Sequence, residues 1–247
     1  MKGSTRVEGS VALVTGANRG LGRAITEALL ERGATKVYAA ARDPKTLNEL
    51  TQQHGSRVVA LRLDVTDADQ VAEAARHAPD VDLLINNAAL LEPGELTSEA
   101  IVDVARQEME VNYLGPLRML QRFADTLAQR GGTIVNVNSG AALASAPILP
   151  TYSASKAALH SLTQASRALL AARGVAVYGV YSGPIDTDAS KGYEIEKSSP
   201  QDSANGILDG VEAGNEDIFP DPWAVAFGEQ FNSSPKDAER QAAAMAA

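Results

Sequence analysis

The chain has 247 residues, of which 45% are hydrophobic, so it is long enough to enclose one large apolar core. Its 22 basic and 31 acidic residues give a formal net charge of −9 without any basic block, which argues against nucleic acid or an anionic membrane as the main partner. It contains no cysteine, which excludes disulfides and a thiolate nucleophile.

The chain begins with MKGSTRVEGSVALVTG, in which the apolar run covers only residues 11–14. This run is too short for a secretory signal or a membrane span. We therefore expect a soluble, cytoplasmic protein that has no membrane contact.

Short apolar runs then alternate with helical segments up to about residue 185. The strand candidates are VALVTG (11–16), KVYAAAR (36–42), RVVALRLD (57–64), VDLLINN (81–87), GTIVNVNS (132–139) and VAVYGVYSG (175–183). Helices are predicted over residues 21–32, 67–78, 98–130 and 151–173, the second of them with a capping box from Thr66 to Asp69. Strands that are apolar on both faces and alternate with helices predict a parallel sheet covered on both sides, in one doubly wound α/β domain over residues 1–247.

Beyond residue 185 the sequence becomes polar and rich in small residues. ILDGVEAG (207–214) predicts one short helix, EDIFPDP (216–222) predicts a brief last strand and turn, and residues 232–247 are predicted to be a fraying tail. A long irregular stretch beside an α/β core is either a binding lid or a disordered surface loop. We expect a substrate lid over about residues 186–230, with the disordered loop as the alternative.

The first strand leads into TGANRGLG (15–22), a turn with three glycines. Glycine permits positive φ and lets backbone N–H groups approach a phosphate, which a helix N-terminus also favours electrostatically. The spacing is G-x-x-x-G-x-G and not the usual G-x-G-x-x-G, and a purely structural turn would use the same residues. Its position after the first strand favours a dinucleotide site.

Further polar or turn residues end the later strands. The residues at these strand ends are Asp64, Asn86, Asn87, Ser139 and the pair Gly183-Pro184. Each has a structural explanation as a helix cap, a turn or a loop hydroxyl. Together they lie at the sheet edge where open α/β sheets bind ligands.

The segment ILPTYSASKAALHSL (148–162) places Tyr152 and Lys156 four residues apart, on one face of a helix. A phenol and an ammonium in this arrangement can act on a common point. Taken alone, they could also be two unrelated side chains that share a face.

In combination, these motifs over about residues 9–188 resemble those of the short-chain dehydrogenase/reductase family, in its single-domain form. TGANRGLG matches the family turn T-G-x-x-x-G-x-G, LDV (63–65) matches the adenine-side acid, and NNAA (86–89) matches N-N-A-G except at Ala89. Ser139 stands thirteen residues before Tyr152, which begins the family motif Y-x-x-x-K. Gly183-Pro184 reverses the usual P-G order, which leaves the shape of the loop near the nicotinamide open.

The resemblance implies a Rossmann-like fold and hydride transfer between a nicotinamide cofactor and a carbonyl or alcohol. Tyr152 would be the general acid in reduction and the general base in oxidation. Lys156 would lower the pKa of Tyr152 from its usual value of about 10 and hold the cofactor ribose. Ser139 would polarise the substrate oxygen, and Asn112 would organise a relay water that links Lys156 to solvent.

The resemblance also implies a set of cofactor contacts at the strand ends. These are Gly16, Asn18, Arg19, Gly20, Leu21, Gly22, Arg42, Asp64, Val65, Asn87, Ala88, Tyr152, Lys156, Pro184, Ile185 and Thr187. The position that carries an acid in NAD-binding relatives falls on Ala41, and Arg42 follows it. With Arg19 as a second cation, this favours NADP(H) over NAD(H), although Asp43 would be the ribose acid if the alignment shifted.

The segment AALASAPILP (141–150), with Ser145 as its only polar side chain, predicts an apolar pocket wall. Leu90 and Leu91 extend this wall, and Tyr181 or Trp223 could add an aromatic surface, which suits an apolar ketone or aldehyde. Small residues could equally be core packing. The predicted substrate contacts are Ser139, Tyr152, Leu90, Leu143 and Leu149.

Other assignments are weaker. Ser139 lies in VNSGA and not in the G-x-S-x-G elbow of a hydrolase, and the scattered residues His54, His77 and His160 predict no metal site. A non-catalytic regulator that senses NADP(H) would not need Ser139, Tyr152 and Lys156 together.

In the family, helices such as 98–130 and 151–173 often pair between subunits, so a homodimer or homotetramer is expected, with burial inside one subunit as the alternative.

Overall fold

The computed structural model of the protein describes residues 5–192 and 195–244. Within these residues, parallel strands form one sheet in the order β3-β2-β1-β4-β5-β6-β7. The strands are β1 Val11–Thr15, β2 Lys36–Ala41, β3 Val58–Arg62, β4 Leu83–Asn86, β5 Thr133–Val137, β6 Ala176–Val180 and β7 Asp217–Ile218. The prediction of a doubly wound, Rossmann-like parallel sheet is confirmed.

Helices connect the strands and cover both faces of the sheet. They are α1 Gly20–Glu31, α2 Asn48–His54, α3 Ala68–His77, α4 Ile101–Met109, α5 Gly115–Arg130, α6 Pro150–Ala171, α7 Pro200–Ala213, α8 Pro222–Ser233 and α9 Pro235–Ala244. A π-helical segment, Glu110–Leu114, joins α4 to α5. No helix in the described ranges is long and apolar enough to cross a bilayer.

Alternate residues of each strand pack into two separate apolar layers, one on each face of the sheet. In β1, Ala12 and Val14 pack into the layer that contains α1 and α7, whereas Leu13 faces the layer that contains α3 and α5. Because both faces are covered, the strands are apolar throughout, which is the pattern that predicted the parallel sheet.

Several predicted boundaries are wrong. Asp67, not Thr66, caps α3, because its carboxylate accepts from the backbone N–H groups of Asp69 and Gln70. Helix α7 begins at Pro200 because the Ser199 hydroxyl caps it, so it starts earlier than predicted. Helices α2 and α8 were not predicted.

The C-terminal segment is also more ordered than predicted. Residues 232–233 end α8 and residues 235–244 form α9, so this segment is not a fraying tail, and Ala238 and Ala242 are buried against Phe227 and Ala144. Of the predicted lid, residues 200–230 form α7, β7 and most of α8 with short connections between them, so the long irregular stretch lies before Pro200. Residues 193–194 of the predicted lid lie outside the described residues.

The order of the strands determines where a ligand can bind. The chain runs from β1 outward to β3, then returns to the other side of β1 at β4 and continues outward to β7. The connections on the two sides of β1 therefore diverge, which leaves a crevice at the carboxyl ends of β1 and β4.

Candidate active site

A cavity of about 1090 Å³ opens at the carboxyl ends of the strands. All the predicted cofactor residues line it, together with Ser139, Leu90 and Leu149. Two of the predicted site residues do not line it, Asn112 and Leu143.

The glycine-rich turn after β1 is closely packed. Gly16 and Gly20 have φ of +67° and +51°, which side chains rarely adopt. A Cβ on Gly22 would lie 2.2 Å from the Gly16 carbonyl oxygen. The turn therefore needs glycine at all three positions, and among the described residues no side chain caps the first N–H groups of α1.

The ends of β1 and β4 are joined by side-chain hydrogen bonds. The Thr15 hydroxyl accepts from the backbone N–H groups of Asn87 (2.9 Å) and Ala88 (3.0 Å). The Asn87 amide donates to the Thr15 carbonyl oxygen at 2.9 Å. Asn86 points away from the cavity and donates to Asn136 at 2.8 Å. These hydrogen bonds hold the glycine-rich turn beside residues 86–88.

Ser139, Tyr152 and Lys156 come together on the opposite wall. Ser139 follows β5, and Tyr152 and Lys156 lie in the first two turns of α6. The Lys156 Nζ is 5.7 Å from the centroid of the Tyr152 ring and donates to the Val137 carbonyl oxygen at 2.9 Å. The Ser139 hydroxyl lies close enough to the phenol to lower its pKa. The structure thus brings the three predicted side chains into one cluster.

The protein environment shifts the pKa of both titratable groups. Burial raises the pKa of the Tyr152 phenol to about 12, the hydrogen bond from Ser139 lowers it, and the charge of Glu108 raises it. Burial lowers the pKa of the Lys156 ammonium to about 8. The net shift of the phenol is opposite to the lowering that we expected from Lys156, because desolvation of the phenolate outweighs the attractions present in the protein.

Asn112 lies in the π-helical segment and is fully buried. Its amide nitrogen donates to the Leu90 carbonyl oxygen and the Ser155 hydroxyl, both at 2.8 Å, and its oxygen accepts from the Leu90 N–H at 2.8 Å. The side chain therefore joins the loop after β4 to α6, and its hydrogen bonds within the described residues do not include Lys156. The water relay stays a prediction.

Two arginines lie at the predicted adenosine end of the cavity. Arg42 is exposed and has no hydrogen-bond or ion-pair partner within the described residues, whereas Arg19 pairs with Asp188 at 3.5 Å. The Asp43 carboxylate accepts from the Lys45 N–H at 3.0 Å and caps a short 3₁₀ helix. Asp64 lines the cavity and also accepts from the Thr66 hydroxyl at 2.7 Å.

The predicted apolar wall is only partly correct. Leu143 packs towards α8 and α9 and does not line the cavity, and Ser145 is exposed outside it. Tyr181 is 1% exposed and hydrogen-bonds His160, so it adds no surface to the cavity. The wall is completed by small and apolar residues: Leu91, Ala141, Ala144, Ala146, Ile148, Ile195, Trp223, Phe227 and Ala242.

Sequence reasoning missed Phe227 and Ala242, which α8 and α9 bring into the cavity. The sequence does contain features that indicate these two helices. Asp221 before Pro222 is a typical N-cap, and the buried residues Ala238 and Ala242 are spaced by one helical turn.

Comparisons with known proteins agree with this geometry. A family model described as short chain dehydrogenase matches residues 10–197. An uncharacterised oxidoreductase of Staphylococcus aureus is 33% identical over 210 residues, covering 80% of this chain and 89% of the relative. A short chain dehydrogenase of Emericella nidulans is 34% identical over 192 residues, covering 72% of this chain and 71% of the relative.

Solved structures are similar over nearly the whole chain. A short chain dehydrogenase from Burkholderia cenocepacia in complex with NADP has a TM-score of 0.90 and 39% identity, covering 96% of this chain and 99% of that one. A short chain dehydrogenase/reductase from Burkholderia phymatum in complex with NAD has a TM-score of 0.82 and 26% identity, covering 96% of both chains.

Proposed function

The chain belongs to the short-chain dehydrogenase family of oxidoreductases, and we propose that it reduces an apolar ketone or aldehyde with NADPH, or catalyses the reverse oxidation. One observation carries the proposal. Ser139, Tyr152 and Lys156 meet in the same cavity as the glycine-rich turn, so a cofactor and a substrate oxygen can be held together.

The cavity residues fit a nicotinamide dinucleotide. The turn approaches α1 so closely that only glycine fits at position 22, and the first N–H groups of α1 have no side-chain cap, which suits a pyrophosphate. When bound, the reduced nicotinamide supplies a hydride to the carbonyl carbon. Lys156 would hold the ribose, and Thr187 and Ile185 would hold the nicotinamide end.

We infer a preference for NADP(H) from the adenosine end. Arg42 is exposed with no partner in the described residues, so its guanidinium is available for a 2′-phosphate, and Arg19 supplies a second cation. Asp43, the competing ribose acid, already caps a helix. The Burkholderia cenocepacia structure contains NADP and the Burkholderia phymatum structure contains NAD, so relatives of both kinds exist.

The pKa values in the site suit proton donation. With a pKa of about 12, the Tyr152 phenol is protonated at neutral pH and can donate to the alkoxide that develops during reduction. The Ser139 hydroxyl would polarise the carbonyl oxygen. In oxidation the phenol must first lose its proton, and the nearby ammonium of Lys156 favours that loss.

The segment between β6 and α7 would form the lid of this single domain. Ile185, Thr187, Asp188, Ser190 and Ile195 line the cavity from this side. The exposed ion pair between Arg19 and Asp188 connects this segment to the glycine-rich turn.

The first experiment is turnover of NADPH and of NADH, followed by nicotinamide absorbance, with a panel of apolar ketones and aldehydes. We expect faster turnover with NADPH and a loss of roughly 10²- to 10⁴-fold in Tyr152→Phe. Tyr113→Phe is the matched control, because Tyr113 does not line the cavity. Full activity in Tyr152→Phe would exclude Tyr152 as the acid, and NADPH binding without any turnover would favour the sensing regulator.

A further inference from the structure

Two aromatic side chains of α8 form one wall of the cavity. Trp223 and Phe227 are one helical turn apart, and their rings stack with centroids 4.7 Å apart and planes inclined by 12°. Phe227 is 2% exposed, whereas Trp223 is partly exposed. The indole therefore presents the accessible aromatic surface, and Phe227 supports it from behind.

Trp223 lies against the ends of β5 and β6, directly beside the proposed catalytic serine. A Cβ on Gly140, the residue after Ser139, would lie 2.8 Å from the indole Cζ3. A Cβ on Gly183 would lie 2.7 Å from the indole Cε3. These close approaches require glycine at both positions, and they account for Gly183 preceding Pro184 in this chain.

The indole is held in a fixed position. Asp221, 4% exposed, caps α8 by accepting from the Ala224 N–H at 2.8 Å and also accepts from the Gly183 N–H at 2.9 Å. On the other side, Phe227 packs with Ala144 and Ala238 in a small apolar core. The wall is thus anchored both to the loop after β6 and to the loop after Ser139.

The surroundings of the indole are apolar. All the residues that α8 and α9 contribute to the cavity are apolar, and Leu90, Leu91 and Leu149 also line the cavity. Small side chains, Ala141 and Ala146, leave room between these residues. A flat, uncharged group fits such a space better than a charged or strongly hydrated one.

We propose that the substrate of the reaction proposed above is an aryl ketone or aryl aldehyde, whose ring stacks on Trp223 while Ser139 and Tyr152 bind its oxygen. Gly140, against which the indole lies, directly follows Ser139, so the proposal places the ring next to the carbonyl carbon. Stacking on a fixed indole favours a planar aromatic ring over a puckered ring of the same size. Trp223 is then the residue that determines specificity, and this inference rests on the proposed function.

The activity test compares kcat/KM with NADPH for acetophenone and for cyclohexyl methyl ketone. The acetophenone carbonyl is conjugated with its ring and therefore differs in intrinsic reactivity, so the readout is the change of the acetophenone-to-cyclohexyl ratio between wild type and variant. We expect this ratio to fall by about tenfold in Trp223→Leu, a change typical of lost aromatic stacking, and Trp223→Phe should retain most of the wild-type ratio. Phe219→Leu is the control, because Phe219 stacks on Tyr181 outside the cavity and should leave the ratio unchanged.

A binding test does not depend on turnover. Trp223 is the only tryptophan of the chain, so protein fluorescence excited at the indole reports this wall alone. With NADP⁺ present, acetophenone should quench the indole fluorescence saturably, and at a lower concentration than cyclohexyl methyl ketone. A parallel titration of free tryptophan corrects for light absorbed by the ketones. An unchanged ratio in folded Trp223→Leu, or quenching of the wild type by the two ketones at equal concentrations, would overturn the inference. Absence of turnover despite aryl-selective quenching would instead count against the proposed function.

Discussion

Glu108 is a fully buried carboxylate close to the proposed catalytic tyrosine. Its Oε1 accepts from the Glu92 N–H at 3.0 Å, and its Oε2 has no hydrogen-bond partner within the described residues. One turn later, Asn112 binds both backbone groups of Leu90. The two side chains therefore hold the loop after β4 against α4, and the charge of Glu108 acts on Tyr152.

Glu108→Gln should shift the pH dependence of the oxidation reaction. The charge of Glu108 raises the pKa of Tyr152, so its removal lowers that pKa and populates the phenolate at lower pH. The rising limb of the alcohol oxidation rate should therefore move to lower pH. Reduction at neutral pH should change little, because the phenol stays protonated well below its pKa of about 12.

The measurement is kcat against pH with the alcohol and NADP⁺. Glu99→Gln removes the same charge from an exposed position and should leave the profile unchanged. A profile of Glu108→Gln that matches the wild type, or moves to higher pH, would show that Glu108 does not act on the phenol.

Arg42→Asp should reverse the preference between the two cofactors. The substitution replaces a cation with a carboxylate at the proposed 2′-phosphate position, so KM for NADPH should rise by about ten- to a hundredfold relative to KM for NADH. The measurement is the ratio of kcat/KM with the two cofactors, and Arg76→Asp, outside the cavity, is the control. A preference that does not change would exclude Arg42 as the 2′-phosphate ligand and return Asp43 to contention as the ribose acid.

Residue spacing predicts which side chains share an element, but not what they bond to. Helical spacing was enough to place Tyr152 and Lys156 on one face, whereas the family resemblance was needed to expect Ser139 beside them. Asn112 differs, because its partners depend on the path of the loop after β4, which no periodicity encodes. The lowered pKa expected for Tyr152 was wrong because burial, a property of the folded site, dominates.

At the scale of elements, α8 and α9 show why the structure of the C-terminal residues is difficult to predict from sequence. An Ala-rich segment of this length has little helical stability of its own and gains it from packing against distant residues. Here the packing partner is Ala144, in the loop that follows Ser139. The π-helical segment before Gly115 was missed for a related reason, since the pattern of apolar residues continues through it.

Ala238→Asp should detach α9 from the cavity wall. Ala238 is completely buried, and an unpaired carboxylate there should cost about 3–5 kcal/mol of stability, or undock the helix. Because α9 supports Phe227, KM for the carbonyl substrate should rise, while the dissociation constant for NADPH should stay close to that of the wild type.

Thermal unfolding and steady-state kinetics measure these two effects. Gln241→Asp makes a similar change on the exposed face of α9 and is the matched control. An unchanged KM for the substrate in Ala238→Asp would mean that α9 does not shape the substrate site.

At the scale of the whole molecule, the cavity joins segments that are far apart in sequence. The glycine-rich turn, the end of β5 and helix α8 all contribute to it. Alternation of strands and helices was sufficient to predict the doubly wound sheet, because both faces must be covered. The contribution of α8 was not predictable in this way, because it depends on two glycines that accept Trp223 at close range.

The surface of α6 leads to a prediction about assembly. Its exposed face carries a stripe of small and apolar residues, Ala154, Ala157, Ser161, Ala165 and Leu169, and Leu169 is 74% exposed. Small side chains at this spacing let a second helix approach closely. We propose that this stripe pairs two copies of the chain in a homodimer or homotetramer.

Ala165→Arg should therefore reduce the oligomer to a smaller species, because a long charged side chain in the middle of the stripe prevents close helix packing. Light scattering coupled to size exclusion measures the mass of both proteins. Ala213→Arg places the same side chain at an exposed position of α7 and should leave the mass unchanged. A monomeric wild type, or an Ala165→Arg variant with the wild-type mass, would show that the exposed face of α6 is not the interface.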